Sequence, residues 1–401
     1  MKKFLFPSIL RKLPLFIITI VILCGVGLIT ATGTRIYNGY HLSNSGRFDG
    51  GYSLDPVENC GILPLLIVFA VIITVLPIFS MNYRYSLAKA DTFRQAPFKA
   101  RTIRYAEHLS TLVIMILGFT VAYLLFVGIL GIRYATESAP NYNLYIRYTK
   151  AYFDFGYFVP LYFFTVLCSV AQYFISYLII SRCNCMRNSA ITLIFGLFAL
   201  CFFMLFVVLY GYGSSERVDM YSMSYASPTP VLFVTLLYNT YNRLILGFSV
   251  DKGTVLYNLN YEERLYYQQF DDGFAVTMMV LGIVSFIILA VLGMVAFFAE
   301  KDPSGEYAGK SYTKKPYQEI IFHVGIAVVG AIFGSAFIIL NLLSYFIFLL
   351  IYVGIYYPVY GTLNRNFKLK PYQFGLMIGV IFVVVLINII ANSISYTQYA
   401  Y

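Results

Sequence analysis

Residues 274–299 read FAVTMMVLGIVSFIILAVLGMVAFFA, without one charged side chain. Coiled as an α-helix at 1.5 Å per residue, the stretch is about 39 Å long, more than the ~30 Å hydrocarbon core of a bilayer. Helices at the edge of a soluble core carry a polar stripe on their water side, and this one has none. In hydrocarbon every backbone N–H and C=O must be satisfied internally, which leaves only helices and closed barrels. A continuous apolar run, rather than period-two alternation, selects the helix.

The same pattern recurs along all 401 residues. Sixty per cent are apolar and 11% are charged, where a soluble domain carries roughly 25% charged residues. Apolar runs at 14–31, 62–81, 109–132, 156–181, 189–212, 274–299, 321–338, 342–360 and 376–392 predict an all-α, polytopic membrane protein of about nine transmembrane helices. The seventh and eighth form one run from Ile320 to Tyr360, too long for a single crossing. It reads either as two crossings with a turn at Asn341 and Ser344 or as a re-entrant hairpin that would place the C-terminus differently. The first run has the charged start of a secretory signal but a weak small-x-small cleavage pattern, and is read as a retained span. Before it, Lys2, Lys3, Arg11 and Lys12 flank Phe4, Phe6, Ile9 and Leu10, so residues 1–13 read as an amphipathic helix on the inner membrane surface.

Charge orients the spans. With the N-terminus inside, the segments 1–13, 82–108, 182–188, 300–320 and 361–375 lie inside and hold 19 of the 28 Lys and Arg. Anionic lipid beside these loops accounts for the net charge of +10, so no nucleic-acid partner is implied. Cys183 and Cys185 lie close together in the short 182–188 loop, but four ligands are needed for zinc and that loop offers no others, so no metal site is expected.

Ion-coupled carriers place titratable groups inside their spans, where each costs roughly 2.5–3.5 kcal/mol. The central parts of the nine segments contain no Asp, Glu, Lys or Arg. His41, His108 and His323 lie at or beyond span ends. Gln172, Asn341 and Asn388 read as hydrogen-bonding residues between helices. There is no nucleophile–base pair of the kind an intramembrane enzyme needs, so no catalytic residue is assigned.

Two inside loops stand out. The loop 82–108 gathers Arg94, Lys99, Arg101 and Arg104 around Pro97, with Phe93, Phe98 and Ile103 interleaved. It reads either as a charged loop that orients the protein or as a docking element for a soluble partner. The loop 300–320 contains GEYAGKS, residues 305–311. A phosphate-binding loop needs four residues between its glycines and a strand before them. Here three residues intervene and an apolar span precedes, so the motif is not a nucleotide site.

These loops carry a family resemblance. ADTFRQAPFKARTIRYAEHLSTLV (90–113), with Asp91, Phe93, Pro97, Lys99 and Arg101 at matching places, is similar to the loop after the second span of type-2 ATP-binding-cassette (ABC) permeases. EKDPSGEYAGKS (300–311) keeps Glu306, Ala308, Gly309 and Lys310 of their Arg-x-x-Glu-x-Ala-Gly pattern, with Asp302 near the expected Arg and one residue of extra spacing. SYLIISRCNCMRNSAITLIFG (176–196) resembles their fourth and fifth spans.

Over about residues 1–320, then, the chain resembles the permease subunit of a type-2 ABC transporter, in the form common in low-GC Gram-positive bacteria. The resemblance implies a six-span permease domain at 14–300, a cytoplasmic loop at 301–320 and additional membrane segments at 321–401. It implies that the loop 82–108 is the coupling element, with Asp91, Phe93, Arg94, Pro97, Phe98, Lys99, Arg101 and Arg104 facing a separate ATPase subunit. ATP and Mg would then act through that partner, and this chain would bind no cofactor. A second permease copy, identical or paired, would complete the pathway in a bacterial plasma membrane with the N-terminus cytoplasmic. The stretch 213–273, opened by Pro228 and Pro230, reads either as re-entrant helices of the permease type or as an interfacial loop. The rival readings are a membrane scaffold or sensor and a secondary carrier not driven by ATP.

Overall fold

The computed structural model describes residues 10, 12–33, 37–42, 48–49, 62–85, 100–136, 146–150, 158–200, 273–300, 319–325, 354, 357–359, 361, 371–379 and 382. In chain order the elements are α1 (Leu13–Gly33), β1 (Tyr37–Leu42), β2 (Phe48–Asp49), α2 (Leu63–Ser80), α3 (Ala100–Thr136), β3 (Ile146–Lys150), α4 (Phe158–Ile180), α5 (Met186–Leu200) and α6 (Gly273–Ala299). A 3-10 turn, Asn82–Arg84, closes α2. The described residues are almost entirely helical, and four of their helices are long and apolar enough to cross a membrane: Leu13–Gly33, Leu63–Arg84, Arg101–Thr136 and Phe158–Ile180. This is a multi-pass helical membrane protein.

The faces of these helices identify the solvent. On α4 the polar positions Thr165, Ser169, Gln172 and Ser176 are fully buried, while Val159, Phe163 and Leu167 on the other face are 59–67% exposed. On α1, Ile17, Ile18, Val21, Ile22 and Ile29 are exposed. A water-soluble helix has the opposite arrangement, so these outer faces are matched to hydrocarbon. Several inward hydroxyls are satisfied within their own helices: Thr74 donates to Ala70 O, Thr165 to Leu161 O and Ser169 to Thr165 O.

The chain divides into two compact units. In the first, α1, the start of α2 and most of α4 surround α3. Phe119 of α3 stacks on Phe69 of α2 with ring centroids 4.1 Å apart, and Tyr162 of α4 lies parallel to it at 6.1 Å. Tyr123 donates to the carbonyl of Phe158 at 2.7 Å. Gly27 brings α1 against the backbone of Ala122, where an added Cβ would lie 3.3 Å from that carbonyl oxygen. Small residues at such crossings let membrane helices approach closely, since packing rather than water exclusion holds them together.

A small antiparallel sheet in the first unit departs from the all-α expectation. Its order is β2-β1-β3, with Tyr37 opposite Lys150 and His41 opposite both Ile146 and Asp49. Because β1 follows α1 and β3 follows α3, their pairing requires both helices to end on the same side. Two intervening crossings, one out and one back, give that result, as alternation of the spans demands.

The second unit holds the C-terminal ends of α2, α4 and α6, with α5 and the helical residues 319–325 and 371–379. Phe297 of α6 packs edge-on against Phe174 and Tyr177 of α4, at 5.7 and 5.2 Å. Gly293 lets α6 approach the carbonyl of Phe174, and Gly325 does the same at the carbonyl of Phe195 in α5. Phe322 meets Phe195 at 4.6 Å. Glu319 accepts from Tyr372 and Gln373, so residues 319–325 join α5 to 371–379. Pro77, inside α2, removes one i→i−4 hydrogen bond shortly before the helix tightens into its 3-10 turn.

Candidate functional site

The C-terminal ends of α2, α4 and α6 lie within the second unit, and each presents carbonyls without an intrahelical donor. The helix dipole leaves partial negative charge at such an end, so a cation there is favoured. Arg84 supplies it. Its Nη1 donates to the carbonyl of Ser181 at 2.9 Å, just past the end of α4.

Glu300 follows the last residue of α6, where a negative charge opposes the dipole and needs compensation. Arg84 Nη2 lies 2.6 Å from Glu300 Oε1, and Tyr177 of α4 donates to Oε2 of the same carboxylate. The two charged side chains are 7% and 12% exposed, and Tyr177 is fully buried. An ion pair this deep survives desolvation only when its remaining hydrogen-bonding positions are also met. Here both carboxylate oxygens and both terminal guanidinium nitrogens are engaged, while Arg84 Nε is buried without a hydrogen-bond partner among the described residues.

Polar pairs surround this centre. Tyr173 donates to Ser80 at 3.0 Å, joining α4 to α2. Tyr85 donates to Ser189 of α5 at 2.9 Å. Burial pushes the Tyr85 phenol above its ordinary range, although the bond to Ser189 pulls it the other way. Cys183, in the turn between α4 and α5, is fully buried, and Cys185 is partly exposed. Among the described residues, no three His, Cys, Asp or Glu side chains come together as a metal would require.

Two further cations join α1 to α3 in the first unit. Lys12 pairs with the Glu107 carboxylate at 2.9 Å and donates to Ser110 at 3.1 Å, to Thr111 and to the Glu107 carbonyl. At the other end Arg133 donates to the carbonyls of Ala31 and Thr32, capping the last turn of α1. Both pairings require α1 and α3 to run in the same direction. In the same unit Gln172 donates to Thr74 at 3.2 Å, a bond between helices of the expected kind.

Of the residues expected to face an ATPase, Arg101 and Arg104 lie on the first turns of α3, which begins nine residues earlier than the apolar run. Arg101 is exposed, whereas Arg104 is 1% exposed, its guanidinium 5.4 Å from the Tyr105 ring. Arg104 is therefore not on the surface with Arg101. Asp91, Phe93, Arg94, Pro97, Phe98 and Lys99 lie outside the described residues, as do Glu306, Ala308, Gly309 and Lys310, and Pro228 and Pro230. So do residues 1–9 and 11, expected in a surface helix, and most of the stretch 321–401, expected to hold the last membrane segments.

Positive-inside counting registers Arg84 only as one inside cation and takes no account of Glu300, so it does not reveal their pairing. A signal was present: they are the first charges after two apolar runs predicted to end on the same side, and they have opposite signs. Comparison with protein-family models, curated proteins and solved structures returned no match.

Proposed function

We propose that this chain is the permease subunit of a type-2 ABC exporter, about nine spans in a bacterial plasma membrane with its N-terminus cytoplasmic. A separate ATPase subunit would bind ATP and Mg and seat on the loop 82–108. A second permease copy would complete the pathway. The loop motifs around Pro97 and Glu306 support the reading, together with the inside bias of Lys and Arg.

The observation that carries the mechanism is the continuity of α3. It runs unbroken for 37 residues, from Ala100 within the basic loop to Thr136. At 1.5 Å per residue that is about 55 Å, well beyond the ~30 Å of hydrocarbon. A helix without a break transmits displacement of its first turn along its length. A push on the segment around Arg101 would therefore reach the whole span, with no flexible joint to absorb it. The clamps at Lys12 and Arg133 would carry α1 with it.

The test is co-purification. Lys99→Glu with Arg101→Glu should abolish recovery of an ATPase subunit from membranes while leaving insertion intact, since both changes precede the apolar run at 109–132. Undiminished recovery would refute the coupling role. A second reading, an ion-coupled carrier, draws on the buried Arg84–Glu300 pair, a titratable group near a span end. Transport abolished by an ionophore but unaffected by ATP depletion would favour it instead.

A further inference from the structure

Arg84 begins the loop that follows α2, and Glu300 begins the loop that follows α6. Tyr177 and the Ser181 carbonyl belong to the end of α4 and the turn after it. We propose that Arg84, Glu300 and Tyr177 form an ionic latch across the C-terminal ends of α2, α4 and α6, whose release uncovers the α4–α5 turn at Cys183. Every contact in the latch crosses between elements, so the three ends are held together by side chains and not by chain connectivity.

The turn is set by the same contacts. Cys183 N donates to the Ile180 carbonyl at 2.9 Å. Two residues before Cys183, the Ser181 carbonyl receives Arg84. Gly196 of α5 packs against Ile179, which fixes α5 on the same end of α4. With Arg84 seated, Cys183 is fully buried. Withdraw either charge and the other is left buried without its counter-ion, a state relieved only by letting water in. Water then reaches the turn through a local opening, without loss of the whole fold. The latch depends on no ATPase, so its failure and the failure of the ABC reading are separate results.

Cys183 is the natural reporter. The full chain, purified in detergent with its other five cysteines replaced by serine, is labelled with N-ethylmaleimide and the rate is followed by mass spectrometry. Glu300→Gln and Arg84→Met should each accelerate labelling at Cys183 by about tenfold or more, since each strands a buried charge. The paired variant Arg84→Met with Glu300→Leu removes the ion pair and the contact to the Ser181 carbonyl together, and should also label faster than the native chain. A control chain with Cys183→Ser and Ala31→Cys places the thiol at a buried site in the first unit, where Glu300→Gln should change nothing. Native-like rates in the single variants would overturn the latch. So would a paired variant at the native rate, because the turn would then stay covered without the latch and the single-variant effect would come from the stranded charge alone. Acceleration at residue 31 as well would also overturn it, by showing general unfolding.

Discussion

Gly27 and Gly25 sit two residues apart on α1 and should respond oppositely to the same change. An added Cβ at Gly27 meets the Ala122 carbonyl oxygen at 3.3 Å, the Phe126 Cβ at 3.8 Å and a Leu65 methyl at 3.9 Å; at Gly25 it meets nothing within 4 Å. Alanine at Gly27 asks the neighbouring carbonyl to give by a few tenths of an ångström. Leucine adds branches about 1.5 Å further out per bond, directly into the α3 backbone, and α1 must move away. Overpacking of this kind costs about 1–3 kcal/mol. A membrane helix pair recovers little of it, because apolar surface displaced from the interface gains nothing beyond what lipid already offers. Gly27→Leu should therefore lose about 2 kcal/mol, roughly a thirtyfold change in the unfolding equilibrium. Gly25→Leu should lose almost nothing. With no Trp in the chain, unfolding is best followed by circular dichroism, in mild detergent titrated with sodium dodecyl sulfate. Equal midpoints for the two leucine variants would refute the argument that α1 packs on α3 through Gly27.

The remaining predictions concern neighbouring contacts. Phe119→Ala removes the ring between Phe69 and Tyr162; a residual cavity of about 100 Å³ at ~24 cal/mol per Å³ costs about 2.4 kcal/mol, read in the same titration. Arg133→Met uncaps the last carbonyls of α1 and should cost about 1.5–3 kcal/mol, with faster amide hydrogen exchange at the end of α1 and unchanged exchange in α5. Tyr85→Phe loses the bond to Ser189 and about 1 kcal/mol at pH 7. Burial raises the Tyr85 phenol above its ordinary value of 10.0. The folded state then holds this proton more tightly than the unfolded one, so its contribution is intact below pH 10 and is lost as pH rises through the folded value. The phenylalanine variant should show a shallower alkaline loss of stability than the native chain, measured from pH 9 upward.

The legibility of this fold differs from residue to residue. The runs at 14–31, 62–81, 109–132 and 156–181 match the described helices within a few residues, save that α3 starts at Ala100. Residues 100–108 carry Arg101, Arg104, Glu107 and His108, and a hydropathy reading ends the span where those charges begin. The helix continues because hydrogen bonding along the backbone is indifferent to side-chain polarity, and because Lys12 and the packing around Arg104 and His108 cover its first turns. The sheet was hidden for a related reason. Tyr37–Leu42 and Ile146–Lys150 are short, polar and separated by two spans, and neither shows a strand pattern strong enough alone.

Membrane placement, helical secondary structure and the alternating course of the first spans are properties of local composition, because a long uncharged run can satisfy its backbone in hydrocarbon in only one way. Those could be had from the letters alone. Which charges face inward, and which partner each finds, could not. Arg84 finds Glu300, Lys12 finds Glu107 and Arg133 finds the end of α1 because helices far apart in the chain become neighbours. Hydropathy is read along one dimension, whereas the energy of a buried charge depends on what surrounds it in three.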